Sequence, residues 1–174
     1  MTLETIKKSI RNIPNYPKEG IQFKDITTAI KQPEIFREVI DMLVQHYKNE
    51  HIDYVIGIES RGFIFASALA YILGCGFVPI RKSGKLPAEV IAQEYELEYG
   101  TDKIEIHKDA LKKGNRVLII DDLLATGGTT IAASELVKKT NAEIAGFAFM
   151  IELNELNARE KLEKYSKVFS LVQC

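Results

Sequence analysis

The stretch Val117-Leu118-Ile119-Ile120-Asp121-Asp122-Leu123-Leu124-Ala125-Thr126-Gly127-Gly128-Thr129-Thr130 decides the fold. Its first four residues are all apolar, the mark of a strand covered on both faces. The run stops abruptly at two acids. Neighbouring carboxylates at a strand end repel each other and resist desolvation, so something must take up their charge: solvent, a sugar diol or a hydrated metal. Gly127 and Gly128 then let the backbone curl tightly. The hydroxyls of Thr126, Thr129 and Thr130, with the free amides opening the next helix, form an anion cradle. An acidic pair beside such a cradle suits a ribose 5-phosphate, with Asp121 and Asp122 on the diol and Ala125 to Thr130 around the phosphate.

Outward from this segment, strands alternate with helices. Tyr54 to Ile58 reads as a buried strand followed by a helix from about Phe63 to Leu73. Phe77 to Ile80 is a short strand whose Pro79 predicts an irregular or edge position. Thr101 to Lys108, Ile144 to Ile151 and Val168 to Val172 read as further strands. Helices are predicted from about Thr129 to Lys139 and over Ala158 to Lys164. Pro33 suits the first turn of a helix with an apolar stripe through Ile35, Val39, Ile40 and Leu43. Leu3, Ile6, Ile10 and Ile13 recur at helical spacing, and Gly20 to Asp25 reads as turn. Residues 81–100 are polar and read as one long loop, which in a compact domain is usually functional. This rhythm predicts an α/β fold with a mostly parallel sheet, in which ligands bind beyond the carboxyl ends of the strands.

The 174 residues fit one domain, and 46% apolar with 27% charged residues is a globular composition. A net charge of −1 argues against a nucleic-acid partner, since neutralising phosphates needs a basic excess. Two cysteines, Cys75 and Cys174, make neither a disulfide framework nor a metal site. The first residues carry acids and no apolar core, and no apolar run approaches membrane-spanning length. A soluble, cytoplasmic protein is expected. His46, His51 and His107 lack metal spacing. No G-x-x-x-x-G-K-[ST] occurs, and Gly74-Cys75-Gly76 lacks the third glycine of a dinucleotide fingerprint.

The segment from Val117 to Thr130 resembles the signature of the type I phosphoribosyltransferases: an apolar strand, two acids and a T-G-G-T loop. The fold this implies is a parallel five-stranded sheet flanked by helices, with a mobile loop (81–100) and a small hood formed partly by residues 1–30. The resemblance to the adenine-using branch of the family covers nearly the whole chain. It rests on GIQFKDIT (20–27), IGIESRGF (56–63), IRKSGKLP (80–87) with LEYG (97–100), and DDLLATGGTT (121–130). It implies transfer of the phosphoribosyl group of 5-phosphoribosyl-1-pyrophosphate (PRPP) to adenine, giving AMP and pyrophosphate, with Mg²⁺ carried by PRPP and water rather than by protein ligands. Glu59, Ser60 and Arg61 would hold pyrophosphate in a loop with a strained peptide bond, with Arg61 counted as catalytic because it would neutralise the leaving group. Arg81, Lys82 and Lys85 would reach the same group, partly across a homodimer interface. On sequence alone that basic cluster reads equally as a solvated face. Glu98 would be catalytic, managing the purine's imidazole proton, with Tyr99 beside it at the adenine. Phe23 would stack on adenine near Lys24, with Leu153 on the base's other side. By itself, Phe23 or Leu153 reads as core.

The hypoxanthine–guanine members carry an acid where this chain has Ala125, a methyl group that cannot serve a base proton. That agrees with the role carried to Glu98. Lys24 and Ser83 depart from the adenine enzymes, where Arg is common at both places. Two other readings stay open at this level: a xanthine-specific member of the family, and a regulator that keeps the fold as a PRPP sensor.

Overall fold

The computed structural model describes residues 2–97 and 100–174. Three short elements come first, α1 (Leu3–Ser9) and the antiparallel pair β1 (Arg11–Pro14) and β2 (Gln22–Asp25). After α2 (Thr27–Ile30) and α3 (Pro33–Tyr47) the chain enters the main sheet. It runs through β3 (Tyr54–Ile58), α4 (Gly62–Leu73), β4 (Gly76–Lys82), β5 (Val90–Glu96), β6 (Thr101–His107) and β7 (Arg116–Leu124). It closes with α5 (Gly128–Lys139), β8 (Glu143–Glu152), a 3₁₀ turn, α6 (Ala158–Leu162) and β9 (Val168–Gln173).

The sheet order is β5-β6-β4-β3-β7-β8-β9. The five strands from β4 to β9 are parallel, as expected, and the β5–β6 hairpin adds two antiparallel strands at one edge. Both faces are covered, and the central strands divide their side chains between two cores. Leu118 and Ile120 of β7, with Ala148 and Met150 of β8, join the core under α3 and α4. Val117 and Ile119, with Phe147 and Phe149, join the core under α5 and α6. Every position of these strands therefore meets apolar neighbours, which is why no polar alternation marks them.

Several expectations are corrected. The opening helix stops at Ser9, so Ile10 caps it and Ile13 lies in β1. Gly20 to Asp25 is not all turn, because Gln22–Asp25 is a strand paired with β1. Residues 81–100 are not one loop. β4 runs on to Lys82, and Val90–Glu96 pairs residue for residue with β6. The acids do not follow the end of β7 but lie within it, and the strand continues along β8 to Leu124. Pro79 sits as predicted at a local edge, because β4 meets β6 only through Arg81 and Lys82.

Candidate active site

Strand order reverses between β3 and β7. One crossover leads from β3 through α4 to β4, and the other leads away through α5 to β8. The carboxyl ends of β3 and β7 thus open a crevice at a topological switch point, where α/β sheets bind ligands. Pairing of β3 with β7 ends at Gly57 and Ile120. Just beyond these ends, Glu59 to Gly62 follow β3 and Asp121 and Asp122 continue β7.

Close approach of the two strand ends requires Gly62. A Cβ there would stand 2.8 Å from the Ile120 carbonyl oxygen and 3.1 Å from Asp121 Oδ1. The Glu59–Ser60 peptide bond in this turn is cis. Arg61 is carried across the crevice: its Nε lies 2.7 Å from Asp122 Oδ2. Its guanidinium carbon also lies 5.2 Å from the centre of the Phe23 ring, within cation–π range. One side chain therefore touches the acidic pair and the hood.

Asp122 is only 4% exposed, so its charge is held by Arg61 in a poorly solvated position. Asp121 accepts a hydrogen bond from the Asp122 amide at 2.8 Å. Burial, and then repulsion from Asp122, push its carboxyl well above the ordinary carboxylate range. The acid pair is thus electrostatically uncomfortable in the free protein, as the sequence suggested.

Beside it, Asp121 and Leu123 to Thr130 line a small cavity of about 80 Å³. Gly127 adopts φ +83°, a left-handed conformation that turns the chain sharply into α5. No side chain caps the helix start, although Thr126 Oγ1 stands 3.5 Å from the Gly128 amide. The amides opening this 12-residue helix are oriented for an anion.

The hood is fixed from below. Asp25 accepts from Arg11 Nε (3.0 Å) and from the Thr27 amide (2.9 Å) and hydroxyl (2.7 Å). Those bonds, that from Arg11 first, hold its carboxyl at about 2. Phe23 is half-buried, with Tyr16 packed edge-on at 5.1 Å between centroids. Lys24 follows it in β2, half-buried. Leu153 packs against the α3–α4 core, and its amide donates to the Leu124 carbonyl at the end of β7.

The basic segment is largely committed to carboxylates. Arg81 donates through Nε (3.2 Å) and Nη2 (3.0 Å) to Glu59, which also accepts from the Lys82 amide (2.9 Å). The Arg81 pairing, against the opposing effect of burial, holds Glu59 below the usual carboxylate range. Glu59 therefore serves here as the anchor of Arg81, which its sign of charge explains better than a direct pyrophosphate contact. Lys82 pairs with Asp102, while Lys85 is exposed. Ser83 donates to Glu105 at 2.6 Å. Ser60 lies in the cis turn. Glu98 and Tyr99 lie outside the described residues.

Sequence reasoning missed Tyr16, Arg11, Asp25, Asp102 and Glu105. Asp25 was visible as the acid within GIQFKDIT, but its partner Arg11 is fourteen residues away.

Residues 27–173 match the phosphoribosyl transferase domain, the class that this sheet and its acidic strand define. An adenine phosphoribosyltransferase of Chlorobium phaeovibrioides is 58% identical over 171 residues, 97% of each chain. The crystal structure of adenine phosphoribosyltransferase from Thermoanaerobacter pseudethanolicus superposes with a TM-score of 0.96 at 50% identity, over 99% of this chain and 100% of that one. The enzyme of Saccharomyces cerevisiae, complexed with an imino-altritol bisphosphate and adenine, gives a TM-score of 0.91 at 43% identity, over 97% of both chains. The chain belongs to the phosphoribosyltransferase family and, within it, to the adenine phosphoribosyltransferases.

Proposed function

We propose that the chain transfers the phosphoribosyl group of PRPP to adenine, releasing AMP and pyrophosphate. One observation carries this reading: Arg61 joins the carboxylate suited to a ribose diol, 2.7 Å away, to the aromatic ring suited to a base, 5.2 Å away. Substrates seated on these two groups meet at the sugar's C1.

The C1–N9 bond forms as the C1–O bond to pyrophosphate breaks, and the bonding electrons leave with pyrophosphate. Positive charge grows on the ribose ring between these events. In this reading Asp121 and Asp122 hold the ribose diol beside the oxocarbenium-like ring, and cations around the leaving group offset the charge it takes. Most of the acceleration comes from holding two reactants in line. The cradle from Ala125 to Thr130 anchors the 5-phosphate away from the reacting bond. Phe23 stacks on the base, a contribution of about 1–3 kcal/mol. Glu98, carried from the family's LEYG motif, accepts the imidazole proton.

Mg²⁺ enters with the substrate. Among the described residues no group of three or more His, Cys, Asp or Glu could hold an ion, and Asp122 already faces Arg61. This donor set suits an ion that arrives on PRPP and keeps several waters. When bound, it neutralises the leaving group. A homodimer is proposed as the working assembly. It is supported by the exposed apolar side chains Tyr71 (87%), Ile72 and Phe77 along the end of α4 and the start of β4. A cytoplasmic location accords with two free cysteines and with the finding that no described helix is long and apolar enough to cross a membrane.

The test is one incubation with Mg²⁺ and PRPP, in which adenine, hypoxanthine, guanine, xanthine and orotate are offered separately and products are resolved by chromatography. AMP and pyrophosphate from adenine alone are expected. Product from xanthine instead would overturn the base assignment. PRPP binding without product from any base would overturn the enzymatic reading.

A further inference from the structure

Lys82, the last residue of β4, is held by a carboxylate on the neighbouring hairpin. Its ammonium donates to Asp102 Oδ2 and, at 3.1 Å, to Tyr95 Oη, and it lies 5.7 Å from the Tyr95 ring centre. Tyr95 and Asp102 are register partners across β5 and β6, with Oη 3.2 Å from the same carboxylate oxygen. Lys82 pairs with Ile104, so Asp102 sits at the diagonal position two residues along, within reach of a long side chain. The other oxygen of Asp102 accepts from the Lys103 amide at 2.8 Å. The Lys82 ammonium, then that amide, keep the carboxyl below the ordinary range, so it is charged at neutral pH.

Glu59 and Glu105 also bind this segment, but both accept its backbone amides, at Lys82 and Gly84, and so build the turn. Asp102 touches the segment only through the ammonium. An ammonium has three donors, and two are spent on Asp102 and Tyr95. A polyanion arriving at Lys82 must displace or share the carboxylate, whose charge also lowers the local positive potential.

We propose that Asp102 is an affinity-limiting residue of the pyrophosphate subsite: it competes with pyrophosphate for Lys82 and so weakens retention of that product. The inference rests on the reading above that Lys82 contacts pyrophosphate.

The experiment uses the full chain with Asp102→Asn and two probes. One is the inhibition constant of pyrophosphate against PRPP. The other is the dissociation constant of AMP, which carries no pyrophosphate. Removing one charge in contact with the ammonium is expected to tighten pyrophosphate inhibition by roughly three- to tenfold, with AMP binding changed by less than about twofold. In a Lys82→Ala background the effect of Asp102→Asn is expected to shrink below about twofold. Unchanged or weaker pyrophosphate inhibition overturns the inference, as does an effect undiminished in that background. Asp102→Ser repeats the test with a shorter side chain, and an opposite change there overturns it equally. Lys82→Ala alone reads the underlying assignment separately: weakened pyrophosphate inhibition upholds Lys82 at the subsite, and no change sinks that assignment whatever Asp102 does.

Discussion

Arg61 and Asp122 form an ion pair, 2.7 Å from Nε to Oδ2, that crosses the crevice between β3 and β7. Asp122 is almost fully buried and Arg61 partly exposed, so the two losses are unequal. Arg61→Ala strands a buried carboxylate and is expected to cost about 1–3 kcal/mol in urea unfolding. Adding Asp122→Asn removes the stranded charge and should recover part of that loss, while PRPP turnover stays impaired. A double variant no more stable than Arg61→Ala would show that the pair does not hold the crevice.

Asp121 carries the opposite sign of pH dependence from the other shifted carboxylates. Its folded pKa lies above the unfolded value of 3.8, so the native state keeps a proton that the unfolded chain loses. Stability therefore falls as pH rises through that interval, and the penalty is complete only above the folded value. Asp121→Asn removes the penalty and can still accept from the Asp122 amide. The melting temperature of the free protein should rise by a few degrees, since about 1 kcal/mol moves a domain of this size by ~2–4 °C. KM for PRPP should rise as well, because an amide replaces the carboxyl proposed to hold the ribose diol. A lower melting temperature would contradict the electrostatic account.

What was legible in the sequence follows from how locally each feature is encoded. Val117 to Ile120 is apolar at every position because both faces of β7 are covered, so it could be read without knowing its neighbours. Gly127 is a local backbone requirement, with its left-handed φ of +83°, whereas Gly128 opens α5 without positive φ and with room for a Cβ. The hood strands are only four residues long, with half of their residues exposed and too few side chains to make a pattern. Strand β5 is half-exposed along its length and is specified by pairing with β6, which a scan for apolar runs cannot see. Arg61 was singled out, yet its partners Asp122 and Phe23 are sixty-one and thirty-eight positions away and meet it only through the fold.

Asp25 ties the hood to acid stability. Its carboxyl titrates at about 2 in the fold against 3.8 unperturbed, chiefly through Arg11 and then Thr27. A depressed folded value contributes stability that is complete above the unfolded value and lost as pH falls towards the folded one. Acid unfolding of the protein should therefore include a component between about pH 4 and pH 2 that Asp25→Asn lacks. Circular dichroism across that range, with both proteins at one ionic strength, reads the difference. Parallel curves would mean that the Arg11 pairing contributes nothing to the fold.

Glu98 is the sharpest test of the chemistry. The resemblance places Ala125 where related enzymes for other purines carry an acid, so the proposed reaction takes its proton acceptor from elsewhere, and the resemblance assigns that role to Glu98 of the LEYG motif. Positioned acid–base groups contribute about 10²–10⁴-fold. Glu98→Ala should lower kcat within that range while PRPP binding, measured by calorimetry, changes by only a few-fold, because the role carried to Glu98 is toward the base and not toward phosphate or diol. Glu98→Gln keeps the size and the hydrogen-bonding capacity but not the basicity. It should be nearly as slow as the alanine variant if proton acceptance is the role, and close to wild type if Glu98 only orients the base. Pre-steady-state measurement of AMP formation separates the chemical step from product release. Full turnover in Glu98→Ala would move the proton to solvent or to another side chain, and the role carried from the motif would fall.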